Sequence, residues 1–254
     1  MELTNVLYEK QGHIAKMTLN RPPANSINLA TLLDIEKVLD DAESDKEVRV
    51  LIITGAGDKG FSAGFDVKDA GKADQTAPKG QQLWTRIDHF PKPVIAAING
   101  YAFGGGCELA MASTFRVMQE NAQIGLTELN LGIIPGWGGT QRMPRILGKS
   151  KALELILFSK RLSAQEALQI GLVDRVSKVG ELMKDVMEMA EFLAKRPPLA
   201  VRAVLNAVNT GIEKGLEEGT KAELEGSFMV ARSKDAIEGF TAFLEKREPV
   251  FKGE

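Results

Sequence analysis

Cysteine is almost missing from this chain. Cys107 is the one thiol in 254 residues, which excludes an intramolecular disulfide framework and a cysteine-rich zinc site. Histidine is nearly as scarce, with His13 and His89 alone, so little is left for imidazole-based metal binding. An excess of charge of either sign is also lacking. Lys and Arg number 32 against 34 Asp and Glu, a formal net charge of −2. No basic field exists to hold a polyphosphate backbone, so nucleic acid is not an expected partner. No run approaches the roughly 18 uninterrupted apolar residues of a membrane-spanning helix. The opening MELTNVLYEKQGHIAKMTL carries charge early and does not read as a signal peptide. A soluble, cytoplasmic protein is the expectation. What is present is ordinary for a globular chain, 44% hydrophobic and 26% charged. The length can bury a sizeable core, as one large domain or two unequal ones.

Residues 14–19 alternate loosely and predict a strand, ended by the turn Asn20-Arg21-Pro22-Pro23. Leu29, Leu32, Leu33, Leu39 and Ala42 then recur at helical spacing behind Asn28, a helix cap. Residues 48–54 (VRVLIIT) and 94–98 (VIAAI) are almost wholly apolar and predict strands covered on both faces. Each runs into glycine, at 55–66 and at 99–106. Leu83, Ile87 and Phe90 predict a helix closed by Pro91 and Pro93, and a short helix is expected from Cys107. Short strands follow at 115–118 and 122–125. Helices are expected at 150–158, 164–170 and 181–196, and a last one behind Ser233. Strands alternating with helices, then helices alone, predict an α/β core with a helical C-terminal part.

Several motif matches have simpler readings. Gly55, Gly57 and Gly60 fit the dinucleotide spacing G-x-G-x-x-G, but Phe61-Ser62-Ala63-Gly64 stands where a helix must open. Residues 60–64 also fit the nucleophile elbow G-x-S-x-G around Ser62. The only histidine downstream is His89, at a helix end. Gly148-Lys149-Ser150 is not a phosphate loop, because Met143 occupies the place of its first glycine. Cys107 has no histidine near it in sequence and reads as a small, half-buried residue beside glycines. What remains is a design used twice: buried strand, glycine-rich loop, helix start. Glycine lets backbone approach a ligand and aim N–H groups at it. The amides of Phe65 and Gly105 are candidates for an oxyanion hole, the second aided by a helix dipole. Glu108, in the first turn after Gly105, and Glu128 are each unremarkable alone. Beside two backbone donors they can serve as general acid and base around a polarised carbonyl.

The ordered stretches Asn20-Arg21-Pro22, 60–66, 92–110, 131–142, 163–167 with 171–173, and 243–247 cover nearly the whole chain. Together they resemble the crotonase, or enoyl-CoA hydratase/isomerase, superfamily, and most of all its hydratases. The resemblance implies an α/β fold, a crotonase-like spiral of ββα units over 1–195. It implies a helical C-terminal trimerisation region over 196–254, building homotrimers or dimers of trimers. The implied substrate is an acyl-CoA thioester, with coenzyme A as part of the substrate and no metal or redox cofactor. Phe65 and Gly105 would hold an enolate-like oxygen. Ala24, Ala63, Phe65, Asp66, Val67 and Lys68 would contact the CoA portion. Glu108 would activate water and Glu128 would deliver the α-carbon proton, in reversible hydration of trans-2-enoyl-CoA. Two positions depart from the pattern: Phe65 replaces alanine, and Trp137 replaces a smaller residue at the substrate site. Either narrows the pocket or favours a cyclic or branched acyl group. The alternatives are a Δ3-Δ2 enoyl-CoA isomerase, which needs only the Glu128-like carboxylate, another crotonase-type acyl-CoA enzyme, and a non-catalytic scaffold.

Overall fold

The computed structural model describes residues 1–57 and 59–254; Asp58, within the G-x-G-x-x-G spacing, lies outside the described residues. The chain opens with an antiparallel hairpin, β1 (Val6–Gln11) and β2 (Ile14–Leu19), followed by α1 (Leu29–Ser44). Asn28 caps that helix as its pattern predicts, its Oδ1 accepting the Thr31 N–H at 2.9 Å. A unit of two strands and a helix then repeats. It begins with β3 (Val50–Gly55), β4 (Gly60–Ser62) and α2 (Ala73–Asp88). The next is β5 (Val94–Ile98), β6 (Tyr101–Phe103) and α3 (Gly105–Ala112). β7 (Phe115–Gln119) and β8 (Gln123–Gly125) start a third turn, which continues into α4 (Gly139–Leu147) and α5 (Lys149–Leu157). After β9 (Leu162–Ser163), α6 (Ala164–Gln169) and β10 (Arg175–Ser177), the chain is helical: α7 (Leu182–Ala194), α8 (Pro198–Lys214), α9 (Leu216–Ala231) and α10 (Lys234–Glu245).

Within each repeat the first strand joins a six-stranded sheet, order β1-β2-β3-β5-β7-β10, and the second joins a four-stranded sheet, order β4-β6-β8-β9. β3, β5 and β7 pair in parallel, as do β4, β6 and β8. The helix between repeats supplies the long crossover that parallel pairing demands. Alternate residues of β3 serve different cores, which explains its unbroken apolar run. Leu51 and Ile53 face the core shared with α1, α2 and α3, while Val50 and Ile52 pack against α7.

The structure departs from the sequence expectation in several elements. β1 is an edge strand with one fully buried residue, so VLYEKQ carries no strong alternation. α2 begins at Ala73, well before Leu83, because its first turns are mostly exposed, bury only Thr76 and tolerate Pro78, and so carry no apolar periodicity. α3 opens at Gly105 rather than Cys107, and Cys107 is wholly rather than half buried. β6 lies in a stretch read as a glycine-rich loop, and α4 and β10 lie in stretches to which the sequence pattern assigns no element. Among the described residues no helix is long and apolar enough to cross a membrane.

Candidate active site

The two glycine-rich loops meet. Gly104 sits at φ +52° and ψ −124°, a conformation that suits only glycine. Its carbonyl accepts the Glu108 N–H at 3.0 Å. The peptide is trans, so the Gly105 N–H points the opposite way, out of the positive end of α3. In the other loop, Ile27 N–H donates to the Gly64 carbonyl at 2.7 Å and Asp66 N–H to the Ile27 carbonyl at 2.9 Å. Successive amides of extended backbone alternate sides, so the Phe65 N–H faces away from Ile27. Gly64, at φ +81°, lies so close that a Cβ there would stand 2.6 Å from the Gly105 nitrogen. Ser62 is committed to holding this loop, its Oγ donating to the Asn25 carbonyl at 2.7 Å and accepting the Gly64 N–H at 3.0 Å. Buried and so bonded, it is no nucleophile.

A cavity of about 160 Å³ opens where the loops join. Ala63, Phe65, Val67 and Gly105 line it, and so do Glu108, Glu128 and Trp137. Three residues named from the sequence lie outside its lining. The Ala24 carbonyl accepts the Ala63 N–H at 2.9 Å and so supports the loop. Asp66 is buried, paired with Arg21 at 2.5 Å and accepting the Lys68 N–H at 3.0 Å. Lys68 is exposed.

Burial raises both glutamates to a pKa of about 7. Their surroundings differ in kind. One oxygen of Glu108 accepts the Trp137 N–H at 2.8 Å and the Gly139 N–H at 2.7 Å, and the Arg142 charge also favours its ionised form. Neither oxygen of Glu128 has a partner in hydrogen-bond geometry among the described residues, and the Glu108 charge further disfavours its ionisation. Two amides on Glu108, and none in hydrogen-bond geometry on Glu128, favour ionisation of Glu108 over that of Glu128. Burial pushes the Cys107 thiol well up, so it is inert at neutral pH.

Trp137 closes one wall. Its ring meets Phe65 edge-on at 6.2 Å and Trp84 at 5.4 Å between centroids. It fits because Gly80 and Gly105 lack side chains, a Cβ at either standing 2.3 or 2.4 Å from the ring. Neither Trp84 nor Arg142 carries a sequence signal that marks it for this site. Trp84, fully buried, donates its indole N–H to the Gly105 carbonyl at 3.0 Å and steadies the α3 start. Nothing in the local pattern separates it from a core residue. Among the described residues no group of three His, Cys, Asp or Glu is placed to hold a metal ion. Two buried carboxyl groups and two loop amides around an apolar pocket can polarise a carbonyl and move protons beside it.

Comparison with known proteins fits this chemistry. The enoyl-CoA hydratase/isomerase family profile matches residues 9–254. The chain is 39% identical over 254 residues to the short-chain-enoyl-CoA hydratase of Clostridium acetobutylicum, covering 98% of this chain and 97% of that one. It is 42% identical over 252 residues to the carnitinyl-CoA dehydratase of Escherichia coli, covering 96% and 97%. A crystal structure of an enoyl-CoA hydratase from Bacillus anthracis superposes with a TM-score of 0.96 at 42% identity, covering 99% of this chain and 100% of that one.

Proposed function

The chain belongs to the enoyl-CoA hydratase/isomerase family, and on that premise we propose that it reversibly adds water to trans-2-enoyl-CoA thioesters, giving 3-hydroxyacyl-CoA. The observation that carries this reading is the carboxylate pair on one pocket, one anchored by two amides and one unpartnered. The thioester oxygen takes the amides of Phe65 and Gly105, which bear the charge that develops as the enolate forms. Ionised Glu108 removes a proton from water as its oxygen bonds to the β-carbon. Protonated Glu128 gives its proton to the α-carbon. Solvent exchange then restores both. Ala63 and Val67 flank the CoA portion, on a loop that Ala24 and the Arg21–Asp66 pair hold in place; Lys68 is exposed beside it. An isomerase needs only the Glu128-like group, so the elaborate seating of Glu108 favours hydration.

The test is crotonyl-CoA, followed through loss of the absorbance of the conjugated thioester. The same ligand at 100 times its Kd is expected to stabilise the fold by about 2.7 kcal/mol. No turnover and no change in Tm with crotonyl-CoA or larger enoyl-CoAs would overturn the substrate class.

Trp137, wedged between Gly80 and Gly105, limits the acyl group to a short or compact one. Trp137→Ala is expected to shift kcat/KM toward bulkier enoyl-CoAs by a factor on the order of 10–200. An unchanged ratio across acyl sizes would assign the ring to packing alone.

We propose also that residues 196–254 assemble the protein as a trimer or a dimer of trimers. α8 buries none of its residues in the single chain, and Leu216, Phe240 and Phe243 are 81%, 74% and 82% exposed. So much exposed apolar surface marks an interaction face. Sedimentation at micromolar concentration should give a multiple of three subunits, and a stable monomer contradicts this.

A further inference from the structure

We infer that Arg142 and Asp88 form a positioning couple that fixes the orientation and charge of Glu108, an inference resting on Glu108 being the base proposed above. The guanidinium of Arg142 is nearly buried and makes two directed bonds. Its Nε donates to Asp88 Oδ2 at 2.9 Å, and its Nη1 donates to the Trp137 carbonyl at 2.9 Å. Gly138, at φ +109°, lies directly against it, and a Cβ there would stand 2.0 Å from Nη1. Arg142 therefore grips the turn Trp137-Gly138-Gly139 from behind, while the front of that turn offers the Trp137 and Gly139 amides to one oxygen of Glu108. Two amides converge on a single oxygen only while the turn keeps its shape. A planar guanidinium with two fixed partners holds it so, and a flexible ammonium does not.

The couple also sets the local field. Glu108 faces Glu128 from the short turn Glu128–Leu131 after β8, Cys107 on its own helix and Arg142 from α4. Asp88, at the end of α2, opposes the Arg142 charge. Beside it, on α8, Asn209 donates to the Asp88 carbonyl at 2.7 Å and Glu213 pairs with His89 at 2.9 Å. Arg142 thus favours the Glu108 carboxylate, and Asp88 moderates that effect.

Opposite signs make this testable. Glutamate labelled with carbon-13 at the side-chain carboxyl is titrated by NMR in the intact protein, the resonance lost in Glu108→Gln being that of Glu108. Arg142→Gln is expected to raise the Glu108 pKa by roughly one unit. At pH 7, kcat on crotonyl-CoA should fall about tenfold or more, with KM within about threefold. Arg142→Lys should restore the titration but only part of kcat, since the charge returns without the fork. Asp88→Asn removes the opposing anion while Nη1 keeps its carbonyl, so Glu108 should titrate at lower pH than in the parent. Shifts of the same sign in Arg142→Gln and Asp88→Asn, or none, overturn the inference. Should Arg142→Gln not fold, Asp88→Asn decides alone, since the Asp88 side chain is 38% exposed. A failure of the hydratase reading shows separately, as a parent protein that does not hydrate crotonyl-CoA, and a failure of Glu108 as the base shows as hydration that survives Glu108→Gln.

Discussion

Glutamine at Glu108 or at Glu128 is expected to lower kcat for crotonyl-CoA hydration by at least roughly 10²–10⁴, with little change in KM. The substitution keeps shape and polarity and removes one proton transfer. Because both groups act on one transition state, the double variant should lose far less than the product of the single losses. The parent enzyme should show a kcat maximum near pH 7, falling on the acid side as Glu108 protonates and on the alkaline side as Glu128 ionises. Those two limits belong to the pair, since both groups lie near 7 and each feels the other. Binding of a CoA thioester should survive in both variants, because the amides of Phe65 and Gly105 are untouched. Near-normal hydration by Glu108→Gln would overturn the two-carboxylate assignment, whereas double-bond migration without hydration, lost only in Glu128→Gln, would point to an isomerase.

Gly64→Ala is expected to cost roughly 3 kcal/mol or more of stability and most of the activity. At φ +81° any side chain is strained, but the larger effect is contact. The new Cβ would stand 2.6 Å from both the Gly105 nitrogen and the Phe103 carbonyl oxygen. Both are backbone atoms on the neighbouring loop and cannot rotate away. Either the two loops separate or the Gly105 amide turns from the pocket, and one such donor is worth roughly 10²–10³ in kcat. Gly12→Ala is the control. Gly12 has φ +55° with nothing within 4 Å of its Cβ position, so only the strain appears there, about 1 kcal/mol. Equal effects at the two glycines, in thermal unfolding and in kcat, would mean that the loops do not touch.

The elements legible in the sequence are those whose side chains meet one kind of environment. β3 and β5 are buried at every position, and α1 couples regular apolar spacing to a polar cap. β1 stayed hidden because an edge strand tolerates Glu9, Lys10 and Gln11 on exposed positions. α4 stayed hidden because it holds Pro144 and opens on glycine. The same division applies to the site. Phe65, Gly105, Glu108 and Glu128, picked out from two glycine loops and two stray carboxylates, line one cavity with Trp137, which only the family resemblance pointed to. Asp66 could not be told from a substrate contact until its pairing with Arg21 was visible. Arg142 and Trp84 act on partners 54 and 21 positions away, Asp88 and Gly105, and no local pattern encodes such a contact.

The chain holds two tryptophans, and both belong to this one wall: Trp84 bonded to the Gly105 carbonyl, Trp137 lining the cavity, 5.4 Å apart. Indole emission from this protein therefore originates wholly beside the cavity between the two glycine loops. It is a label-free optical probe of occupancy, with Trp137 exchanging its surroundings as a ligand enters and Trp84 registering any movement of the α3 start. By the same token, fluorescence-detected melting follows the pocket and is blind to fraying of α8, α9 and α10, which carry no indole.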